Sequence, residues 1–199
     1  MRLPITAAIF VTLLSVPAFA DDVTQMIDEA TKLYKEGKFS ESVKELQFAI
    51  GEIQQKLSKR LGAKMPPAPP GWMAGETKTQ GMGLMGGGQM ITRKYTQKGG
   101  SGSLTARLVV DNPMIQGISV MLSSPLLIQS QRGMKRVKIK GEEGLFRWRK
   151  SRRRGELSVI LGGGKLMLQV KGRTVDDREV LFNFMKSWDF KSAKKIVGL

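Results

Sequence analysis

From Gln89 onward, apolar and polar residues alternate in short runs, the period of a strand that buries one face. The alternation is cleanest from Ser103 to Asp111, where Leu104, Ala106, Leu108 and Val110 take every second position. Gln89 to Thr96 forms the preceding run, across the turn-forming KGGSG. Four more runs follow: MKRVKIK, GLFRWRK, ELSVILG and KLMLQVKG. Only short Gly- or Arg-rich turns separate them. This predicts antiparallel hairpins, because a parallel crossover needs about a dozen residues or more. Two stretches switch to helical spacing. Asn112-Pro113 supplies a cap and a first-turn proline to PMIQGISVMLSSP, a helix ended by Pro125. A closing helix is expected from Thr174, with Asp177 as its capping partner and Val180, Leu181, Phe184, Met185 and Trp188 as its core stripe. The fold class that follows is α+β: an antiparallel sheet with two helices, which cover one face and leave the other more polar.

Between residues 21 and 63 the apolar period lengthens to that of a helical hairpin. Tyr34, Phe39, Val43, Leu46 and Ile50 supply the apolar positions, Gly37 interrupts two helical patterns, and Ser40 can cap the second. The run LYKEGKFSESVKELQFAI, residues 33–50, resembles the centre of a tetratricopeptide repeat. Tyr34 is the aromatic before the turn, Gly37 the glycine in it, Phe39 the aromatic after it, and Ala49 a small residue on the second helix. Ser42 stands where alanine is usual. A single repeat cannot bury its own apolar face. The resemblance therefore implies packing on the β domain, self-association, or a protein partner.

KMPPAPPGW, residues 64–72, has four prolines in five positions and predicts an extended spacer. The domains expected are thus a hairpin over 21–63 and a basic α+β domain over 73–199. PPGW followed by strands and a late amphipathic helix resembles the layout of small exported β-sheet modules of the PsbP-like type. As a whole the chain resembles exported bacterial proteins.

Export is also legible at the start. Arg2, the apolar run Ile5 to Val16 and the A-x-A site Ala18-Phe19-Ala20 form a secretory signal peptide over residues 1–20. The apolar run is too short to span a hydrocarbon core of roughly 30 Å. Cleavage after Ala20 and a periplasmic address are expected.

Composition then removes whole chemistries. With 0 Cys and 0 His there is no disulfide framework, thiolate nucleophile or imidazole base. Net charge is +16, and it is uneven: residues 21–70 hold eight charges of each sign, whereas residues 71–199 hold 24 basic and nine acidic residues. The second part faces something anionic.

The stretch GMGLMGGGQM, residues 81–90, carries two motif readings. Gly81, Gly83 and Gly86 fit a dinucleotide fingerprint, but a strand-like run follows where a helix is required, so no cofactor is assigned. Met82, Met85 and Met90 are soft thioethers suited to copper(I). Four glycines from Gly83 to Gly88 make the loop mobile, and apolar contact is the favoured role of these methionines, with no metal site assigned.

The strongest signal is RGMKRVKIKGEEGLFRWRKSRRRG, residues 132–155. Arg136, Lys138 and Lys140 alternate with Val137 and Ile139, and Arg147 and Arg149 with Phe146 and Trp148. The anion-binding candidates are Lys135, Arg136, Lys138, Arg147, Arg149, Lys150, Arg152, Arg153 and Arg154, with Trp148 as an interface residue. Arginine favours phosphate and carboxylate, which it binds bidentately. Lipid headgroups, lipopolysaccharide or an acidic protein fit the address, and nucleic acid does not. The expected function is a non-enzymatic exported binding or accessory protein. Alternatives are a protein–protein adaptor built on the hairpin, a weak methionine copper(I) binder, or a hydrolase using Ser192 with Lys195 or the pairs Glu142-Glu143 and Asp176-Asp177.

Overall fold

The computed structural model describes residues 21–82 and 87–199. The expected signal peptide and, within the glycine-methionine stretch, Gly83, Met85 and Gly86 lie outside the described residues. The chain divides into two compact units, Met1–Glu52 and Ile53–Leu199.

In the first unit, α1 (Asp22–Lys35) is capped by the Asp21 carboxylate, which accepts from the Val23 amide at 3.4 Å. Gly37 takes φ +76° in the turn, a left-handed conformation that glycine adopts without a Cβ penalty. The next helix, α2 (Phe39–Gly62), starts one residue before Ser40. Small residues let the helices approach: Ala30 is buried, and the Ser42 hydroxyl donates to its carbonyl at 2.8 Å. The Tyr34 and Phe39 rings meet at 5.5 Å beside the turn. Tyr34, Phe39, Val43, Leu46 and Ile50, the apolar positions read from the sequence, are all exposed.

The second unit is an α+β structure around a seven-stranded antiparallel sheet, β1 (Trp72–Gly81), β2 (Gln89–Gln97), β3 (Ser103–Val110), β4 (Met134–Ile139), β5 (Glu142–Arg149), β6 (Arg154–Leu161) and β7 (Leu166–Arg173). Their order is β1-β2-β3-β7-β6-β5-β4. Two meanders thus meet where β3 pairs with β7. The six runs read from alternation are all strands. β1 is additional, and its polar, Gly-containing sequence offers no period-two stripe.

The connection from β3 to the far edge at β4 has three strands to cross, at about 4.8 Å per step. It does so as two helices, α3 (Pro113–Ser123) and α4 (Pro125–Ser130). Asn112 caps α3 by accepting from the Met114 amide at 2.9 Å. Pro125 ends α3 as expected and then serves as the first residue of α4, where its missing N–H is harmless. The closing helix begins later than expected, as α5 (Glu179–Ser187), followed by α6 (Phe190–Ile196). Thr174 is left-handed at φ +53°, and Asp177 receives the Glu179 amide at 3.0 Å. The segment holding Ser192 and Lys195 is helical.

The sheet therefore carries helices on both faces. One face, with Ile91, Tyr95, Leu108, Leu157, Leu168 and Val170, buries the main core under Leu181, Phe184, Met185 and Trp188. Leu61 and Met65 join this core. On the other face, α3 and α4 cover only the rows near Val109, Met167, Ile160 and Leu145.

Tyr95 ties the proline-rich stretch to this core. Its hydroxyl donates to the Pro66 carbonyl at 2.6 Å, and burial pushes the phenol up to about 12. A raised value means the folded state holds the proton more tightly. The stabilisation is therefore complete below the ordinary tyrosine value of about 10 and is lost as pH climbs towards about 12. In a Tyr34→Phe variant, phenolate absorbance is expected to appear only near the pH of alkaline unfolding. A reversible titration at about pH 10 in folded protein would show the phenol to be solvated.

Candidate anion-binding face

β5, β6 and β7 place three arginines in one row. Arg149 is the register partner of Arg154, and Arg154 that of Arg173. Directly opposed like charges destabilise a sheet, so folding alone does not favour such a row. The next row runs Arg147, Glu156, Lys171, Thr105 and Lys94, and a third runs Leu145, Ser158, Gln169, Arg107, Thr92 and Lys78. All stand on the face opposite Phe146 and Trp148. The basic surface therefore extends well beyond one hairpin.

Local geometry sets the first row. Lys150–Arg152 forms a single 3-10 turn that Arg153 closes in the left-handed region at φ +46°, so Arg149 and Arg154 emerge side by side. Beneath them Gly155 makes room for the Trp148 ring, since a Cβ there would stand 2.5 Å from it. Trp148 is half-buried against the helix-covered core.

Arg147, Arg149, Arg152, Arg154, Lys171 and Arg173 line a pocket of about 170 Å³ together with Glu156. Glu156 organises its floor. It receives Gln169 Nε2 at 2.8 Å and pairs with Lys171 at 3.3 Å and Arg147 at 3.4 Å. Gln169, itself buried, also donates to Ser158 at 3.1 Å and accepts from Arg107 at 3.4 Å. Arg147 and Lys171 are thereby held in place. Among the described residues no carboxylate pairs with Arg149, Arg152, Arg154 or Arg173. Six cations against one carboxylate leave the pocket suited to a multiply charged oxyanion.

Of the residues read from the sequence, Arg147, Arg149, Arg152 and Arg154 converge here. Arg153 turns to Asp176, 2.5 Å away. Lys150 is exposed on the turn and does not line the pocket. Arg136 and Lys138 share the basic face on edge strand β4, where Arg136 pairs with Glu143. Lys135 lies on the other face with Val137. Lys140 leaves the alternation altogether: at φ +50° in the β4–β5 turn, it donates to the Trp188 carbonyl at 3.0 Å and lies over the Phe190 ring. Sequence reasoning missed Lys171, Arg173, Arg107, Lys94 and Lys78. Gln169, Lys171 and Arg173 do alternate along β7, but only the register places them beside the arginine tip.

The other candidates have structural partners. Glu142 pairs with Lys194, Glu143 with Arg136 and Asp176 with Arg153, while Asp177 caps α5. Met82 is buried with Val109, Ile115 and Met167, and Met90 packs against them. Met82 and Gly88 face each other across the loop base, where the Met82 amide donates to the Gly88 carbonyl at 3.0 Å. Among the described residues no group of three or more carboxylate, His or Cys ligands is poised for a metal ion. A separate groove of about 370 Å³ between Pro67–Pro70, Trp72 and α5 has no charged residue in its lining.

Two neighbouring features complete the face. Ile118, Met121, Met134 and Leu145 form a smaller pocket of about 120 Å³ that shares Arg147 and Glu156 with the arginine pocket. α3 and α4 thus border the basic rows directly. No protein-family model, curated protein or solved structure matches the chain.

Proposed function

We propose that this is a non-enzymatic exported binding protein whose β domain holds a phosphate-bearing anionic component of the cell envelope. The observation that carries the reading is the row Arg149, Arg154 and Arg173, opposed across three strands with no carboxylate paired to it among the described residues. Guanidinium forks bind phosphate bidentately, and fixed strands hold them at low entropic cost. An acidic protein is the competing ligand. The exposed Tyr34, Phe39, Leu46 and Ile50 support a second role for the helical hairpin, contact with a protein partner or another copy of the chain.

Cosedimentation with phosphatidylglycerol vesicles tests the main reading. Binding is expected to be strong at low salt and to weaken steeply as the Debye length falls from about 30 Å at 0.01 M to about 8 Å at 0.15 M. Arg149→Gln with Arg173→Gln should lower it about tenfold or more, each basic group near an anionic surface contributing about 1 kcal/mol. Equal binding of the wild type and the double variant would remove the arginine row from the function.

A further inference from the structure

We infer that α3 and α4 form a membrane-inserting element, so that the anionic component held by the arginine rows is the surface of a lipid bilayer. This rests on the anion-binding reading above and goes further by naming the ligand's physical state. The first observation is charge. Residues 112–131 contain no Asp, Glu, Lys or Arg in a chain that is 25% charged. The second is exposure. Ile115, Leu122 and Ile128 face inward, yet Leu126 is 77% exposed, Val120 62%, Met114 47% and Leu127 45%. A surface helix pair that only closes a fold normally turns charged residues outward. Here the outward side is uncharged, with Met114, Val120, Leu126 and Leu127 exposed among Gln116, Ser123, Gln129 and Ser130, so entry into the headgroup region requires no charged side chain to be desolvated.

The third observation is position. The helices lie on the same sheet face as the arginine rows, and Ile118 and Met121 line a pocket with Arg147. A helix with its side chains is about 10 Å thick. Interfacial helices bury roughly 5–10 Å into the boundary between headgroups and acyl chains. Insertion to that depth lowers the uncovered sheet to the level of the phosphates, within reach of Arg149, Arg154 and Arg173. Apolar insertion and charge pairing then act together, which neither an acidic protein nor a soluble phosphate would require. Among the described residues no helix is long and apolar enough to cross a membrane.

The chain has 0 Cys, so Leu126→Cys accepts a single environment-sensitive nitrobenzoxadiazole label on the full protein, and Glu76→Cys on β1 serves as the control. With phosphatidylglycerol vesicles, label at 126 is expected to brighten and shift to the blue, while label at 76 does not. Leu126→Glu with Leu127→Glu should weaken binding about tenfold or more and leave it fully reversible by salt. Vesicle binding with an unchanged label and an unaffected double variant would overturn the insertion and leave the anion-binding reading intact. Absence of any vesicle binding would overturn both. A blue shift that needs no vesicles and grows with protein concentration would assign this face to a second copy of the chain and overturn the proposal.

Discussion

Replacing Arg154 with glutamate is expected to weaken vesicle binding about a hundredfold while making the fold more stable. Arg154 stands between Arg149 and Arg173 in register, so a carboxylate at that position turns two repulsive contacts into two cross-strand ion pairs. Opposite charges at directly paired positions stabilise by about 0.2–1 kcal/mol each, and the site is exposed, which keeps the sum near 1 kcal/mol. That corresponds to a rise in Tm of roughly 2–4 °C for a unit of this size. Binding moves the other way for the same reason. The new carboxylate repels the anion and engages the two arginines meant to hold it, a loss of about 3 kcal/mol if each affected cation contributes about 1 kcal/mol. Calorimetric melting and cosedimentation on one preparation decide it. A variant that loses stability along with binding would mark the row as part of the folding architecture.

The largest effect on stability is expected at Trp188. It is fully buried beside Phe184 at the end of α5, with ring centroids 6.3 Å apart, and its carbonyl receives Lys140. Trp188→Ala leaves a large cavity and should destabilise the second unit by about 3–5 kcal/mol, a major share of the 5–15 kcal/mol typical of a domain. Trp188→Phe separates packing from polarity. The indole Nε1 is buried with no hydrogen-bond partner among the described residues, so phenylalanine keeps most of the ring contact and removes that unmet donor. Urea unfolding followed by circular dichroism should rank wild type and Trp188→Phe within about 1–2 kcal/mol, with Trp188→Ala far below. Similar losses in both variants would mean that the nitrogen has a partner such as buried water.

The partition between sequence and tertiary structure follows the range of the interactions. Period-two alternation in 103–110 and in the four later runs was legible because each strand buries one face, and side-chain direction is a local property. The apolar stripe Leu181, Phe184, Met185 and Trp188 was legible for the same reason at helical period. β1 was not, since an edge strand that buries little needs no apolar stripe. The late start and the split of the closing helix were hidden too, because Thr174 turns left-handed at φ +53° and the Asp189 carboxylate caps a new helix by accepting from the Ser192 amide at 3.0 Å.

The basic character of residues 132–155 and the alternation of Arg147 and Arg149 with Phe146 and Trp148 came from the sequence alone. The site did not. Lys171 and Arg173 reach Arg154 only because β6 pairs with β7, and Arg107 and Lys94 join only because β3 closes on β7. Lys140 left the alternation because a left-handed turn sent it to the Trp188 carbonyl. Alternation along one strand reports which face a residue takes. Its neighbours on that face are chosen by strand order and register, which depend on contacts between residues distant in sequence, and that is why only the tertiary structure decided the row.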